Sequence, residues 1–289
     1  MKPEPTPSPA GLNPGLYLVA TPIGNARDIT LRALDILATA EVIAAEDTRT
    51  ARKLLDIHSI NLGNRPLIAY HDHSGEAGRA GLLKLIAEGR SVAYVSEAGT
   101  PLVSDPGYAL ARAVGEAGLL VTAAPGASAV LAALSLAGLP SDRFLFAGFA
   151  PATRSARLKW LEELVSVPAT LVIFESPRRV RELLIDLVQT AGEARQAAVA
   201  RELTKKFEEV LHGTLGALSS ALDERALKGE VVVLVDRDRA EVGDETMEAA
   251  LRRALETMSL KDAAATVAEA YGLKRRKVYQ AALEMEKDG

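Results

Sequence analysis

The chain has 289 residues, 48% of them hydrophobic and only 4% aromatic, so it holds one to three packed domains whose cores rest on Ala, Leu and Val. The absence of cysteine excludes disulfides, Cys-ligated zinc and thiol catalysis. A net charge of −4 and a pI near 5.7 are not the signature of a nucleic-acid binder, so any such contact must come from local basic patches.

Residues 1–14, with prolines at 3, 5, 7, 9 and 14, read as an extended, disordered tail without an apolar signal-peptide core. Short apolar runs then alternate with helical patterns. LYLVA (16–20), EVIAA (41–45), PLIAY (66–70), SVAYV (91–95) and Leu119–Ala123 are predicted strands. Leu31–Thr39, Thr48–Ile57, Gly78–Glu88 and Tyr108–Ala117 are predicted helices, with Thr30 and Thr48 as caps. Continuous apolar strands alternating with helices predict a parallel sheet covered on both faces. The window Val121–Leu139 is apolar enough to suggest a membrane span, but Pro125-Gly126 breaks it, and it reads as a strand, a turn and a buried helix.

A second α/β pattern follows. Strands are predicted at 144–149, 170–175, 197–202 and 230–235, with helices at 155–165 and 178–190, and Gly138 and Pro140 in the hinge. After a polar linker (236–245) come three predicted helices. Ser259 and Asp262 form a capping-box-like pair, and Gly272 followed by Lys274-Arg275-Arg276-Lys277 gives a helix-turn-helix-like reading. The expected organisation is a tail at 1–14, α/β domains at 15–124 and 125–238, and helices at 244–287.

Neither GxxxxGK[ST] nor a GxGxxG after the first strand is present. Four predicted strand ends are instead rich in Gly, Pro, Asp or Thr: ATPIGNARDIT (20–30), AEDTRT (45–50), SEAGTPLVSDPG (96–107) and APGASA (124–129). Ligands of open parallel sheets lie beyond the carboxyl ends of the strands, so these four loops predict a ligand crevice. His71-Asp72-His73 puts two imidazoles on one strand face, but no third ligand is near, and no metal is expected.

PIGNARDITLRAL, AEDTRT, SEAGTPLVSDPG, PGASA, FESPRRV and ARELTKKFEE, in this order, resemble the tetrapyrrole-methylase superfamily of S-adenosylmethionine (SAM) methyltransferases. Within it they are similar to the ribosomal RNA small-subunit methyltransferase I subfamily. The resemblance covers about Leu16–Asp236, and the C-terminal helices resemble that subfamily's tail. It implies two α/β domains with SAM in the cleft between them, plus a small helical helix-turn-helix-like tail. It further implies 2′-O-methylation of a cytidine ribose in the decoding region of small-subunit rRNA, in the assembled 30S subunit, by a cytoplasmic homodimer. Ile23 stands where other superfamily members carry proline in a GxGPG-type loop, which argues against a tetrapyrrole substrate.

Carried over residue by residue, the resemblance implies SAM contacts from Ile23, Gly24, Ala98, Gly99, Thr100, Val103, Ser128, Ala129, Phe174, Glu175, Ala200, Leu203 and Gly229. Bare backbone at the glycines would bond the polar parts of SAM, and Pro101 and Pro106 would stiffen the fourth loop. Candidates for a base near the ribose hydroxyl are Glu46, Asp47, Glu97, Asp105, Lys205 and Glu208. Glu97 and Lys205 lead because they adjoin the cofactor-lining stretches. The competing readings are a helix cap for Asp47, a turn residue for Asp105, and an exposed helical ion pair for Lys205 and Glu208.

Phosphate neutralisation falls to Arg49, Arg52, Arg178, Arg179, Lys205, Lys274, Arg275, Arg276 and Lys277, with Lys53, Arg154, Arg157, Arg181 and Lys206 nearby in sequence; the competing reading of each cluster is a solvated surface. Two alternatives remain: a tetrapyrrole methyltransferase, and a SAM-binding RNA assembly factor without catalysis.

Overall fold

The computed structural model describes residues 11–71, 74–104, 107–223, 225, 227–237 and 247–287. The chain divides into two compact units, 1–237 and 238–289. Most of the proline-rich tail, Asp72, His73, Asp105, Pro106 and most of the polar linker lie outside the described residues.

The first unit contains two five-stranded sheets. The first is built from β1 (Gly15–Val19), β2 (Val42–Ala45), β3 (Leu67–Ala69), β4 (Ser91–Val95) and β5 (Val121–Ala124). All are parallel, in the order β3-β2-β4-β1-β5. Helices α1 (Leu31–Thr39) and α2 (Thr48–Ile57) cover one face through Ile36, Leu37 and Leu55. Helices α3 (Gly75–Ala87) and α4 (Tyr108–Glu116) cover the other through Leu82, Ile86, Leu110 and Val114. Each such fully buried aliphatic side chain contributes about 1.5–3 kcal/mol of transfer free energy. Burial on both faces explains why the strands read as continuous apolar runs.

The caps follow local chemistry. Thr30 accepts from the Ala33 amide, as predicted. The cap of α2 is Asp47, which accepts from the Arg49 amide at 2.7 Å, rather than Thr48. A carboxylate at that position also meets the positive end of the helix dipole.

The chain leaves β5 through residues 125–128 and enters α5 (Ala129–Leu136), which packs on the second sheet. That sheet comprises β6 (Phe144–Phe149), β7 (Thr170–Glu175), β8 (Gln196–Arg201), β9 (Glu209–Thr214) and β10 (Val231–Val235) in the order β6-β7-β10-β8-β9. Only the β6–β7 pair is parallel. Helices α6 (Arg154–Leu164), α7 (Val180–Ala191) and α8 (Leu215–Leu222) cover one face. The other face is covered by α5 and by strand exits of the first sheet, in a cluster holding Ile23, Val130, Ala133, Val172, Ala200, Leu203 and Val232.

In the second unit, α9 (Met247–Thr257), α10 (Leu260–Ala270) and α11 (Arg275–Lys287) pack around Leu251, Ala264, Val267, Val278 and Ala282. Ser259 accepts from the Asp262 amide and donates to its carboxylate at 2.6 Å, as the sequence pair predicts. Gly272, with φ +62°, ends the turn after α10. Among the described residues no helix is long and apolar enough to cross a membrane.

Candidate active site

In the first sheet β1 lies between β4 and β5, so chain order reverses between β1 and β4, and their exits are where an open parallel sheet holds its ligand. Those exits are joined by main chain. Thr21 and Gly99 exchange amide–carbonyl bonds at 2.9 and 3.1 Å. The Thr100 hydroxyl donates to the Ala127 carbonyl at 2.9 Å. A Cβ at Gly126 would lie 2.9 Å from that of Ala20. The second exit joins through Glu46, whose carboxylate accepts from the Glu97 amide at 3.1 Å.

The exit of β8 closes on the same place. The Asn25 amide donates to the Thr204 hydroxyl at 3.1 Å. A Cβ at Gly24 would meet Lys205 Cγ at 2.5 Å and the Leu203 carbonyl at 2.8 Å. The side-chain face of Gly24 is therefore packed against the second half. Gly229 behaves alike: with φ +86°, its vacant side-chain position is taken by Glu202, 2.0 Å from a would-be Cβ. Both glycines let protein meet protein at the crevice.

Of the SAM-contact candidates, Ile23, Val103, Ala129, Phe174, Ala200 and Leu203 fall in the single apolar cluster between the sheets. A Cβ at Gly99 would lie 3.3 Å from Ile23 Cγ2. Ser128 starts α5 without capping it through its side chain. Ala98 is exposed on the fourth loop, and Glu175 ends β7 with its side chain buried.

Backbone strain gathers here. Leu102, Ser104, Glu202 and Thr204 have positive φ; among the described non-glycine residues only Ser59 shares this. Such conformations cost about 1–3 kcal/mol each and cluster at ligand-holding sites. Two buried oxygens, Thr21 Oγ1 and Glu175 Oε2, have no hydrogen-bond partner, one at an exit of each sheet. Buried orphan acceptors and small residues around a crevice suit a ligand with several polar groups. Thr21, Glu202 and Thr204 were missed in the sequence; Thr21 adjoins the Gly24 turn, whereas Glu202 and Thr204 reach Gly229 and Gly24 only through the fold.

Several charges differ from expectation. Lys205 is not in a helical pair with Glu208: its ammonium bonds Glu202 at 2.9 Å and Glu230 at 3.0 Å, and Glu208 accepts from the Thr204 amide. Burial pushes the Lys205 pKa down, but the two carboxylates outweigh it and hold the pKa above its ordinary value. A raised pKa favours the charged ammonium over a free amine. Glu202 is held low by its bond from Lys205. Glu97 is exposed, anchored by its amide to Glu46.

Arg157 is 1% exposed and bonds Asp186 at 2.8 Å, which removes it from the basic surface. Arg179 turns inward to the Glu175 carboxylate and the Ala150 carbonyl, while Arg178 and Arg181 are both exposed, Arg181 in a pair with Asp223. On α2, Arg49, Arg52 and Lys53 line an open groove of about 350 Å³ with Thr48, Asp56 and Leu67. Arg49 also grips Asp47, whose pKa falls to about 2 through that bond. Lys274, Arg275, Arg276 and Lys277 are exposed at the start of α11.

Comparison with known proteins accounts for this geometry. The profile of the tetrapyrrole (corrin/porphyrin) methylases matches residues 15–219, and that of the RsmI C-terminal HTH domain matches 241–286. The ribosomal RNA small subunit methyltransferase I of Mesorhizobium japonicum is 49% identical over 95% of this chain and 93% of that protein. Its counterpart from Escherichia coli O157:H7 is 43% identical over 94% and 95%.

The chain belongs to the ribosomal RNA small subunit methyltransferase I family. It is a SAM-dependent methyltransferase of the tetrapyrrole-methylase fold. Among solved structures, the uroporphyrin-III-C-methyltransferase of Thermus thermophilus superposes with a TM-score of 0.55 at 26% identity, covering 77% of this chain and 94% of its own. A diphthine synthase superposes at 0.59 with 16% identity over 76% and 89%, a likeness of fold alone.

Proposed function

We propose that this methyltransferase acts on the 2′-hydroxyl of a cytidine ribose in the decoding region of small-subunit rRNA, within the assembled subunit, as a cytoplasmic homodimer. The observation that carries the RNA reading is the second unit. The tetrapyrrole enzyme matches across nearly its whole length yet covers 77% of this chain. The rRNA methyltransferases match along almost all of it, and the C-terminal helical domain carries four exposed cations, Lys274 just before α11 and Arg275, Arg276 and Lys277 in its first turn. In this reading residues 15–124 and 125–238 are the two halves of the catalytic body, and 244–287 its RNA-binding tail.

Residues of both sheets would hold SAM: Ile23, Gly24, Ala98, Gly99, Thr100 and Val103 from the first and fourth exits, Ser128 and Ala129 from the fifth, and Phe174, Glu175, Ala200, Leu203 and Gly229 from the second sheet. Bound there, SAM supplies an electrophilic methyl group on a sulfonium. The chain then contributes alignment and proton acceptance, of which alignment accounts for most of the acceleration. Glu97 takes the hydroxyl proton, because its carboxylate is exposed beside the crevice and its backbone is anchored. Lys205 is a positioning cation. Its stem lies on Gly24 and its head is fixed by two carboxylates, so it clamps the β8 exit onto the first. Arg49, Arg52, Arg178 and Lys274–Lys277 track phosphates.

The test incubates the protein with labelled SAM and undermethylated small subunits, free rRNA or a uroporphyrinoid. Label in ribose of the subunits is expected, with Glu97→Gln lowering turnover about 100-fold while SAM affinity holds. Label in the porphyrinoid alone overturns the reading.

A further inference from the structure

Three of the five phenylalanines in this chain meet at one corner of the second sheet. Phe174 stacks edge-to-face on Phe146 at 4.7 Å and on Phe149 at 5.6 Å between ring centres. Phe149 nevertheless remains 59% exposed.

Its orientation is imposed by a defect in the strand. Phe146 pairs with Val172, then the register shifts, and Phe149 pairs with Phe174. Regular pairing would have set Phe149 opposite Glu175, on the face buried under α6, α7 and α8 with Leu171 and Ile173. The bulge returns it to the face of Val172 and Phe174, the one covered by strand exits. Gly148 makes the bulge with φ +72°, and a Cβ there would lie 3.4 Å from Ser104 Oγ on the fourth exit. On the other side the Ala150 carbonyl is clamped by Arg179, itself bonded to Glu175 at 2.8 Å. Arg178, next in the chain, is exposed.

We infer that Phe149 is a stacking platform for an unpaired base of the RNA substrate at the mouth of the crevice, an assignment that rests on the RNA reading above. The bulge aims the ring, Phe174 backs it, and the Arg179 clamp fixes the chain beyond it. Base–aromatic stacking tolerates any base because each has a π-face, and Arg178 places a positive charge near the accompanying phosphate. A rigid ring held ready loses little freedom when a base arrives.

The experiment uses the full-length protein and undermethylated small ribosomal subunits, with SAM affinity by calorimetry and assembly mass by sedimentation. Phe149→Ala is expected to lower kcat/KM about tenfold or more, with SAM affinity held within about twofold and mass unchanged. Phe149→Trp is expected to restore transfer and Phe149→Leu to leave it low. Rescue by leucine, an equal fall in SAM affinity, or a change in assembly mass overturns the proposal in favour of packing, cofactor contact or self-association. If the unaltered protein fails to label the subunits, the RNA reading itself falls and takes this assignment with it.

Discussion

The two sides of the crevice are held together by different forces. On the first sheet the first, fourth and fifth exits are tied by uncharged groups: the Thr21–Gly99 main-chain exchange, the Thr100 hydroxyl on the Ala127 carbonyl, and the close approach of Gly126 to Ala20. On the second sheet they are tied by charge: Glu175 to Arg179, Glu202 and Glu230 to Lys205, and Arg201 and Arg225 to Glu209. Peptide groups and the Thr100 hydroxyl do not titrate, so these ties among the first, fourth and fifth exits hold across pH. The second side depends on protonation and on each partner remaining in place.

The largest effect is expected behind the charged side. Asp186→Ala leaves Arg157 buried without its main counter-ion and should cost about 3–5 kcal/mol, read as a lower urea midpoint for the first unit. On the main-chain side, Gly99→Val forces a branched residue to φ +83° and crowds Ile23 Cγ2 at 3.3 Å. SAM affinity by calorimetry should fall about tenfold or more, from strain of about 1–3 kcal/mol. Unchanged affinity would remove Gly99 from the cofactor wall.

Lys205→Met separates the two sides by pH. Glu202 has a lowered pKa, so its contribution to stability is complete above its unfolded value of 4.5 and fades as pH falls through the lower folded value. Lys205 has a raised pKa, so its contribution is complete below 10.5 and fades as pH climbs through the higher folded value. The variant should therefore be less stable by about 1–2 kcal/mol between those limits, converging with the parent at both ends. A difference independent of pH would mean that the lysine stem, not its charge, does the clamping.

The smallest effect belongs to the exposed cations. Arg52→Ala should weaken RNA binding and lower the slope of log affinity against log salt by about one phosphate contact, with SAM affinity unchanged.

The parallel sheet was legible because its strands are short apolar runs punctuated by Gly, Pro and Asp, and the crevice because those punctuating residues recur at the exits. β9 and α8 were overlooked. EVLHGT has a weak alternation, and the stretch before it looked helical, although Leu215, Leu218 and Leu222 follow a helical spacing after the Thr214 cap. The inward arginines were illegible for another reason. Whether Arg157 faces water depends on Asp186, 29 residues away, and on a helix packing that no local pattern encodes. Gly24 was flagged by its turn and Gly229 by the family resemblance, but what fills the space beside them is a side chain from a distant loop.

Four residues, Pro125-Gly126-Ala127-Ser128, carry the chain from the last strand of one sheet to the helix that roofs the other. Here the tether between the halves is itself fixed in place, by the Thr100 hydroxyl on the Ala127 carbonyl, beside the exits proposed to hold the cofactor. Engineers who graft either half onto a foreign mate, or lengthen that junction, will remake the pocket along with the joint. Diversification of such an enzyme is therefore freest in appendages added beyond residue 237.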